Sequence, residues 1–403
     1  MRSALRPLAA PRFRMVFFGR LVSFLGNAMA PVALAFAVLG LTGSASDLGL
    51  VLAARSLPTV ALLLLGGVWA DRLPRHVILV VFSLVAAGTQ SVAAVLLISG
   101  SARVWQLALL EAANGMAAAF LGPASLGVVP QTVEPSLIQP ANALLRLAMN
   151  AAKVIGAGLA GVVVAAYGPG WAIAVDAATF VVAAVFFGRL ALPRVALPRP
   201  GVLGELRSGW REFRSRTWLW TIVAQFAFVN AAFSGGFNVL GPLVAKRDLG
   251  GATAWGLVVA FEAAGFIAGG LSSLWHRPRR PLLLATYGVL AGTSVLFALA
   301  VAAPVPVMLA AAFAAGAGFE IFGVQWDTVV QHNVPPEALS RVYAYDSLGS
   351  LVFNPLGQTL AGPAMAALGL GGAIALNGAV ILTATLAVLT VRDVRTLTGH
   401  ATA

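Results

Sequence analysis

The 403-residue sequence contains no cysteine and only four histidines, and charged residues make up just 10% of it. Without cysteine there is no disulfide and no thiolate metal site, and the redox compartment is left open. His76, His276, His332 and His400 lie far apart in the chain. No Gly-x-Ser-x-Gly or His-Glu-x-x-His string occurs, so neither a nucleophile with its base nor a metal cluster is expected, and the chain does not read as an enzyme. Soluble domains carry roughly 25% charged residues. The shortage of charge, set against 59% hydrophobic residues, excludes a soluble protein, because a chain of this length could not bury so much apolar surface. A formal charge of +12 could point to nucleic acid. The basic residues, however, stand in short clusters between apolar runs, which is a membrane pattern and implies no nucleic-acid partner.

What the sequence does contain is apolar runs of about 20 residues, the length that spans a bilayer. Twelve candidate spans are predicted, at 14–40, 46–70, 75–99, 104–128, 139–166, 170–191, 217–245, 253–275, 281–302, 305–330, 340–367 and 369–391. Gly and Pro punctuate the connections, as in Tyr167-Gly-Pro-Gly170 and Ala303-Pro-Val-Pro306. The basic start, Met1 to Arg14, runs into the first span without a small-residue cleavage site and reads as an uncleaved first helix. The longest connection, 192–216, alternates charge with large apolar residues at helical spacing over Glu205–Arg214. It is expected to lie along the membrane surface as an amphipathic helix.

The chain also repeats itself. Gly67-Val-Trp-Ala-Asp71-Arg72-Leu-Pro74-Arg75-His76 has a degraded copy beginning at Gly270, which lacks the Asp. Ile155–Gly161 aligns with Leu356–Gly362, and Trp171-Ala-Ile-Ala with Gly372-Ala-Ile-Ala. Parallel repeats of this kind mark transporters. The expected organisation is an N-terminal six-helix lobe (1–191), a cytoplasmic linker (192–216), and a C-terminal six-helix lobe with a short tail (217–403). With the N-terminus inside, cytoplasmic segments hold most of the arginines, whereas the outer loops hold only Arg103, Lys246 and Arg247. The positive-inside rule then places both termini in the cytoplasm.

The Gly-x-x-x-Asp-Arg-x-Pro-Arg-His string between the second and third spans resembles the signature loop of the major facilitator superfamily, with Pro74 where many members have Gly. Arg20-Leu-Val-Ser-Phe-Leu-Gly26, Thr42-Gly-Ser-Ala-Ser46, Val129-Pro-Gln-Thr-Val133, Ala141-Asn-Ala-Leu144 and Val334-Pro-Pro-Glu-Ala-Leu-Ser-Arg-Val342 narrow the resemblance to bacterial exporters grouped with the enterobactin exporter and macrolide efflux pumps. The resemblance implies an all-α integral membrane protein of twelve transmembrane helices in two lobes, working by alternating access. It implies a multi-pass protein of the plasma (inner) membrane whose partners are the bilayer and a small organic substrate. One fold carries many solutes, so substrate is what it implies least.

Within that frame, Gly67, Asp71, Arg72 and Arg75 are the candidate gating motif. A carboxylate such as Asp71 facing a helix N-terminus gains from a few tenths to about 2 kcal/mol, and the eleventh span begins at the matching level. Asp327 and Asp346 are candidate partners for Arg72 and Arg75. The alternative is that the basic residues merely anchor topology. Ionisable residues inside spans are costly unless they face a partner or water. Arg146, Asn150 and Lys153 fall on one stripe of the fifth span, and Glu262 lies at a depth comparable with Lys153, so the two could form a switchable interlobe pair or a static one.

The first, fourth, seventh and tenth spans line the cavity in the resembled fold, and each carries a polar stripe. The substrate candidates on them are Asn27, Glu111, Asn114, Asn230, Ser234, Phe237, Asn238 and Glu320, with helix–helix glue the competing reading for single amides and hydroxyls. The mixture suits a secondary active exporter of amphipathic organic molecules, such as a drug, siderophore or secondary metabolite. No cofactor is expected and the proton gradient is the energy source, although the Gly-Pro motif common in the fifth span of proton-exchanging members is absent. A monomer is expected. Import of a small solute, or a transporter-like sensor that moves nothing, are the alternatives.

Overall fold

The computed structural model describes residues 5–190, 202–275, 278–335 and 338–397; at 64–72, 126–127, 202–206, 208, 274 and 340 it describes the backbone alone. Gly67, Asp71 and Arg72 therefore lie outside the described side chains, and Arg277 and the first part of the linker outside the described residues.

Described residues form helices almost throughout: α1 (Pro11–Thr42), α2 (Ala45–Arg72), α3 (Arg75–Ile98), α4 (Val104–Val128), α5 (Ile138–Tyr167), α6 (Pro169–Gly188), α7 (Val202–Arg214), α8 (Thr217–Phe233), α9 (Gly241–Asp248), α10 (Ala252–Trp275), α11 (Pro281–Val289), α12 (Ala291–Ala300), α13 (Val305–Asn333), α14 (Leu339–Leu351), α15 (Asn354–Leu389) and α16 (Arg392–Thr396). Eleven described stretches are long and apolar enough to cross a membrane. The last of them, Arg341–Leu389, has 49 residues. At 1.5 Å per residue it would reach about 74 Å, more than twice a hydrocarbon core of about 30 Å. It breaks at Gly369, where φ is +74° and ψ +169°, a conformation only glycine adopts without strain. The break divides the stretch into two lengths, as the separate spans expected at 340–367 and 369–391 require.

Three spans are less regular than a continuous helix. Between α8 and α9 the backbone forms a π-helical segment, Ser234–Leu240. Here Gly235 and Gly236 let the turns widen. The span expected at 281–302 is interrupted at Leu290, where i→i−3 bonds (Leu290 N to Tyr287 O, 3.1 Å; Thr293 N to Leu290 O, 3.0 Å) replace the α pattern. The span expected at 340–367 is interrupted between Leu351 and Asn354.

The chain divides into two compact units, Met1–Pro198 with Gly251–Gly256, and Arg199–Gly250 with Leu257–Ala403. In the first unit α1 packs on α5 and α6, α2 on α4, and α3 on α4 and α6. A core of Phe13, Val16, Ile78, Leu79, Val128, Leu145 and Phe187 fills one end. In the second, α8 packs on α15, and α13 on α11 and α12. In a bilayer such contacts are held by close packing and interhelical hydrogen bonds rather than by escape from water, which favours small residues at the crossings. Gly115 of α4 is one such residue, since a Cβ there would collide with the Arg55 carbonyl of α2. The expectation for the linker is refined: α7 belongs to the second unit and leans on α14. Trp210 lies 5.6 Å from Phe213 and 5.5 Å from Tyr345, ring centre to ring centre.

Candidate functional site

In the first unit, polar side chains from five helices converge. The stripe of α1 brings Arg20, Ser23 and Asn27, spaced i, i+3, i+7 and so stacked on one face. Arg20 sits over the Phe24 ring at 5.0 Å, and its Nη1 donates to the Ser125 carbonyl at 3.4 Å. Asn27 Nδ2 donates back to Ser23, to its carbonyl at 2.9 Å and its Oγ at 3.2 Å. From α2 comes Arg55, whose Nη1 donates to Glu111 Oε2 of α4 at 3.2 Å. Thr59, one turn on from Arg55, donates to the Gly115 carbonyl at 3.0 Å, which fixes α2 against α4 where Gly115 permits contact. Ser83 and Gln90 of α3, Asn114 of α4 and Asp176 of α6 are buried in the same unit.

A cavity of about 180 Å³ opens among these groups. It is lined by Arg20, Ser23, Asn27, Arg55, Ser83, Asn114 and Ser125, with Phe24, Phe180 and Phe187 as apolar wall. Pockets for drug-sized ligands measure roughly 300–1,000 Å³, so this space is large enough for only part of such a molecule. Its chemistry is donor-rich. Two guanidiniums face it, and Asn114 Nδ2 is buried without a hydrogen-bond partner. An acceptor-bearing or anionic group is what these donors complement.

Of the sequence-predicted residues, the structure brings Asn27 and Asn114 to this cavity and holds Glu111 beside it through Arg55. Residues of the second unit are differently engaged. Asn230 Nδ2 donates to the Ser350 carbonyl at 3.0 Å, and Ser234 Oγ accepts from Gln358 Nε2 at 2.9 Å, so both bind helix to helix. Phe237 is 1% exposed and stacks on Phe233 at 4.7 Å, packed inside the second unit. Asn238 is exposed and Glu320 half-buried.

Asp346 accepts from Trp326 Nε1 at 2.9 Å and from Ser350 Oγ at 3.2 Å. Asp327 Oδ1 accepts from the Tyr343 hydroxyl at 3.3 Å. Both acids are thus tied within the second unit, between α13 and α14. Arg146 and Lys153 are exposed on α5, opposite its buried residues Ala148, Ala152 and Gly156, and Glu262 is half-buried on α10. Among the described residues no group of three or more His, Cys, Asp or Glu could hold a metal.

One residue escaped the sequence reading: Arg55, amid the apolar run of α2. The signal was present, since an ionisable residue in mid-span marks function. Asp176, the one charge within α6, lies nearer the outer end of its span in the sequence and reads there as structural.

The family model of the Major Facilitator Superfamily matches residues 16–350. The chain is 24% identical to YvqJ of Bacillus subtilis, an MFS-type transporter described as uncharacterized, covering 94% of this chain and 91% of that protein. It is 25% identical to the multidrug efflux pump Tap of Mycolicibacterium fortuitum (88% and 90%) and 28% identical to the enterobactin exporter EntS of Citrobacter koseri (69% and 68%). A solved structure of a mutant nucleoside transporter NupG superposes with a TM-score of 0.78 at 13% identity, over 93% of this chain and 99% of that one; at that identity the likeness concerns the fold.

Proposed function

The chain belongs to the Major Facilitator Superfamily, and we propose that it exports amphipathic organic molecules from the cell by alternating access, driven by the proton gradient. The carrying observation is the cavity of the first unit, where two guanidiniums and an orphan amide stand against three phenylalanine rings. Such a lining suits a solute with an apolar body and an acceptor-rich end, and is ill matched to an inorganic cation. Relatives named as a multidrug efflux pump and an enterobactin exporter support the outward direction.

In this reading the protein works as a monomer in the plasma membrane with both termini cytoplasmic. Asp71, Arg72 and Arg75 form the inner gate, and Lys153 and Glu262 meet as an interlobe pair in one stage of the cycle. The test is uptake of 1-anilinonaphthalene-8-sulfonate and a panel of other amphipathic acids into everted membrane vesicles, with and without the protein. Accumulation that needs the protein and collapses with a protonophore supports the proposal. Accumulation in right-side-out vesicles alone would replace export by import.

A further inference from the structure

Three charges within the spans of the first unit, two of them buried and Arg55 half-buried, do not balance. Arg55 pairs with Glu111, which is 3% exposed. Asp176 is 0% exposed, and among the described residues neither of its oxygens has a hydrogen-bond donor. Gln90 approaches it without reaching hydrogen-bonding geometry, and Arg55 and Glu111 are close enough for their charges to act on it. From α1, Gly26 closes over the carboxylate, since a Cβ at Gly26 would come 2.5 Å from Asp176 Oδ1. The set holds one guanidinium and two carboxylates. Inside a membrane it is electrically neutral only when it carries one proton.

The count covers the charges that act on Asp176, which are those of Arg55 and Glu111. α6 packs on α1, α3 and α5. On α1 the guanidinium of Arg20 keeps its charge among neutral partners, the Phe24 ring and the Ser125 carbonyl, and is not among the charges acting on Asp176. Arg75 and His76 stand at the opening turn of α3, near the other end of α6, and Arg146 and Lys153 are on the exposed side of α5.

The internal repeat separates packing from chemistry. Ala172-Ile-Ala-Val-Asp176 aligns with Ala373-Ile-Ala-Leu-Asn377, and Val104–Val129 with Val305–Val330, which sets Ala312 opposite Glu111 and Gly316 opposite Gly115. Gly316 meets the Glu262 carbonyl as Gly115 meets that of Arg55, so Glu262 occupies the place of Arg55. The close approach over the sixth span is repeated too, with Gly235 and Gly236 against Asn377. Asn377 Nδ2 donates to the Ala373 carbonyl of its own helix at 2.9 Å. The same helix contacts thus form with an amide in place of Asp176 and an alanine in place of Glu111. The fold does not require the carboxylates.

We propose that Asp176 is the proton-binding site of this transporter, with Arg55 as the cation shared between Glu111 and Asp176. In the geometry observed, Arg55 is committed to Glu111 and Asp176 holds the proton. When the proton leaves, the new carboxylate draws Arg55 toward α6, and the shift of one guanidinium alters the wall of the cavity that Arg55 lines. Proton occupancy and the solute end seated against Arg55 are thereby linked through one side chain. This rests on the proton-driven reading given above.

The test reads the proton and the flux separately. In purified protein, infrared spectroscopy follows the carbonyl stretch of a protonated carboxylic acid near neutral pH. Asp176→Asn, which copies Asn377, should fold normally and lose that band. Glu111→Gln should lose it as well although Asp176 remains, because one guanidinium and one carboxylate are already neutral. A band that survives in Asp176→Asn, or one that persists in Glu111→Gln, overturns the proposal. In proteoliposomes, flux of the amphipathic anion 1-anilinonaphthalene-8-sulfonate under an imposed proton gradient should be lost in Asp176→Asn, with its gradient-free exchange retained. Wild-type flux of this anion that responds to the gradient, with an Asn variant that responds equally, overturns the assignment alone. Wild-type flux of this anion that ignores the gradient overturns the proton coupling, and the assignment with it.

Discussion

The Arg55–Glu111 pair makes an asymmetric stability prediction. Removing one member of a buried ion pair leaves an uncompensated charge and costs about 3–5 kcal/mol, whereas replacing both by apolar residues is often neutral. Glu111 is 3% exposed but Arg55 is 27% exposed, so solvent at the cavity moderates the loss and the low end, about 3 kcal/mol, is expected for Arg55→Met. That variant leaves Glu111 and Asp176 together with no cation. Glu111→Leu leaves Arg55 with Asp176 as a second partner, and should cost about 2 kcal/mol, the scale of one charge-assisted hydrogen bond. The double variant should cost about 1 kcal/mol or less. Unfolding in SDS, followed by the fluorescence of the nine tryptophans, measures all four proteins. Equal single losses that simply add in the double variant would refute the reasoning, since non-interacting sites add and a shared charge does not.

At the α2–α4 crossing, Gly115→Ala should lower folded yield and cost about 1–3 kcal/mol, because the new methyl meets backbone rather than a yielding side chain. Gly122→Ala, in open space on the same helix, should stay within about 0.5 kcal/mol in the same SDS titration. Asp71→Asn should leave membrane abundance intact and reduce vesicle transport severely; unchanged transport at equal abundance would remove Asp71 from the gate. Lys153→Ala should impair transport more than Lys153→Ala combined with Glu262→Ala, and additive losses in the vesicle assay would mean that the two never meet.

The spans were legible because their signal is local. An apolar run of fixed length bounded by Pro or Gly needs no knowledge of the rest of the chain, and α4 (Val104–Val128) begins and ends where its sequence pattern does. The π segment at Ser234–Leu240 and the interruption at Leu290 were not legible, since each is a choice among helical hydrogen-bond registers of similar energy, settled by packing. Site residues divide in the same way. Asn27 and Asn114 stood on recognisable polar stripes and do reach a cavity. Asn230 and Ser234 stood on an equally good stripe and are spent on helix contacts, because which neighbour faces a stripe is a tertiary fact. Asp176 needed three helices at once, since its isolation depends on Gly26 of α1, Gln90 of α3 and the prior commitment of Arg55 to Glu111.

The turn at Gly369 has a practical side. With a single residue carrying the chain from one pass into the next, and Gly168 doing the same between α5 and α6, the protein offers almost no peptide to the water at these points. Proteases, antibodies and inserted tags find no loop there to grip. A probe of sidedness must therefore be as small as a side chain, and the absence of cysteine makes any introduced thiol the sole one to react. Tyr167 and Leu368, both exposed and each one residue before its turn, are the places where a thiol and a membrane-impermeant reagent would report which face of the bilayer these bends occupy.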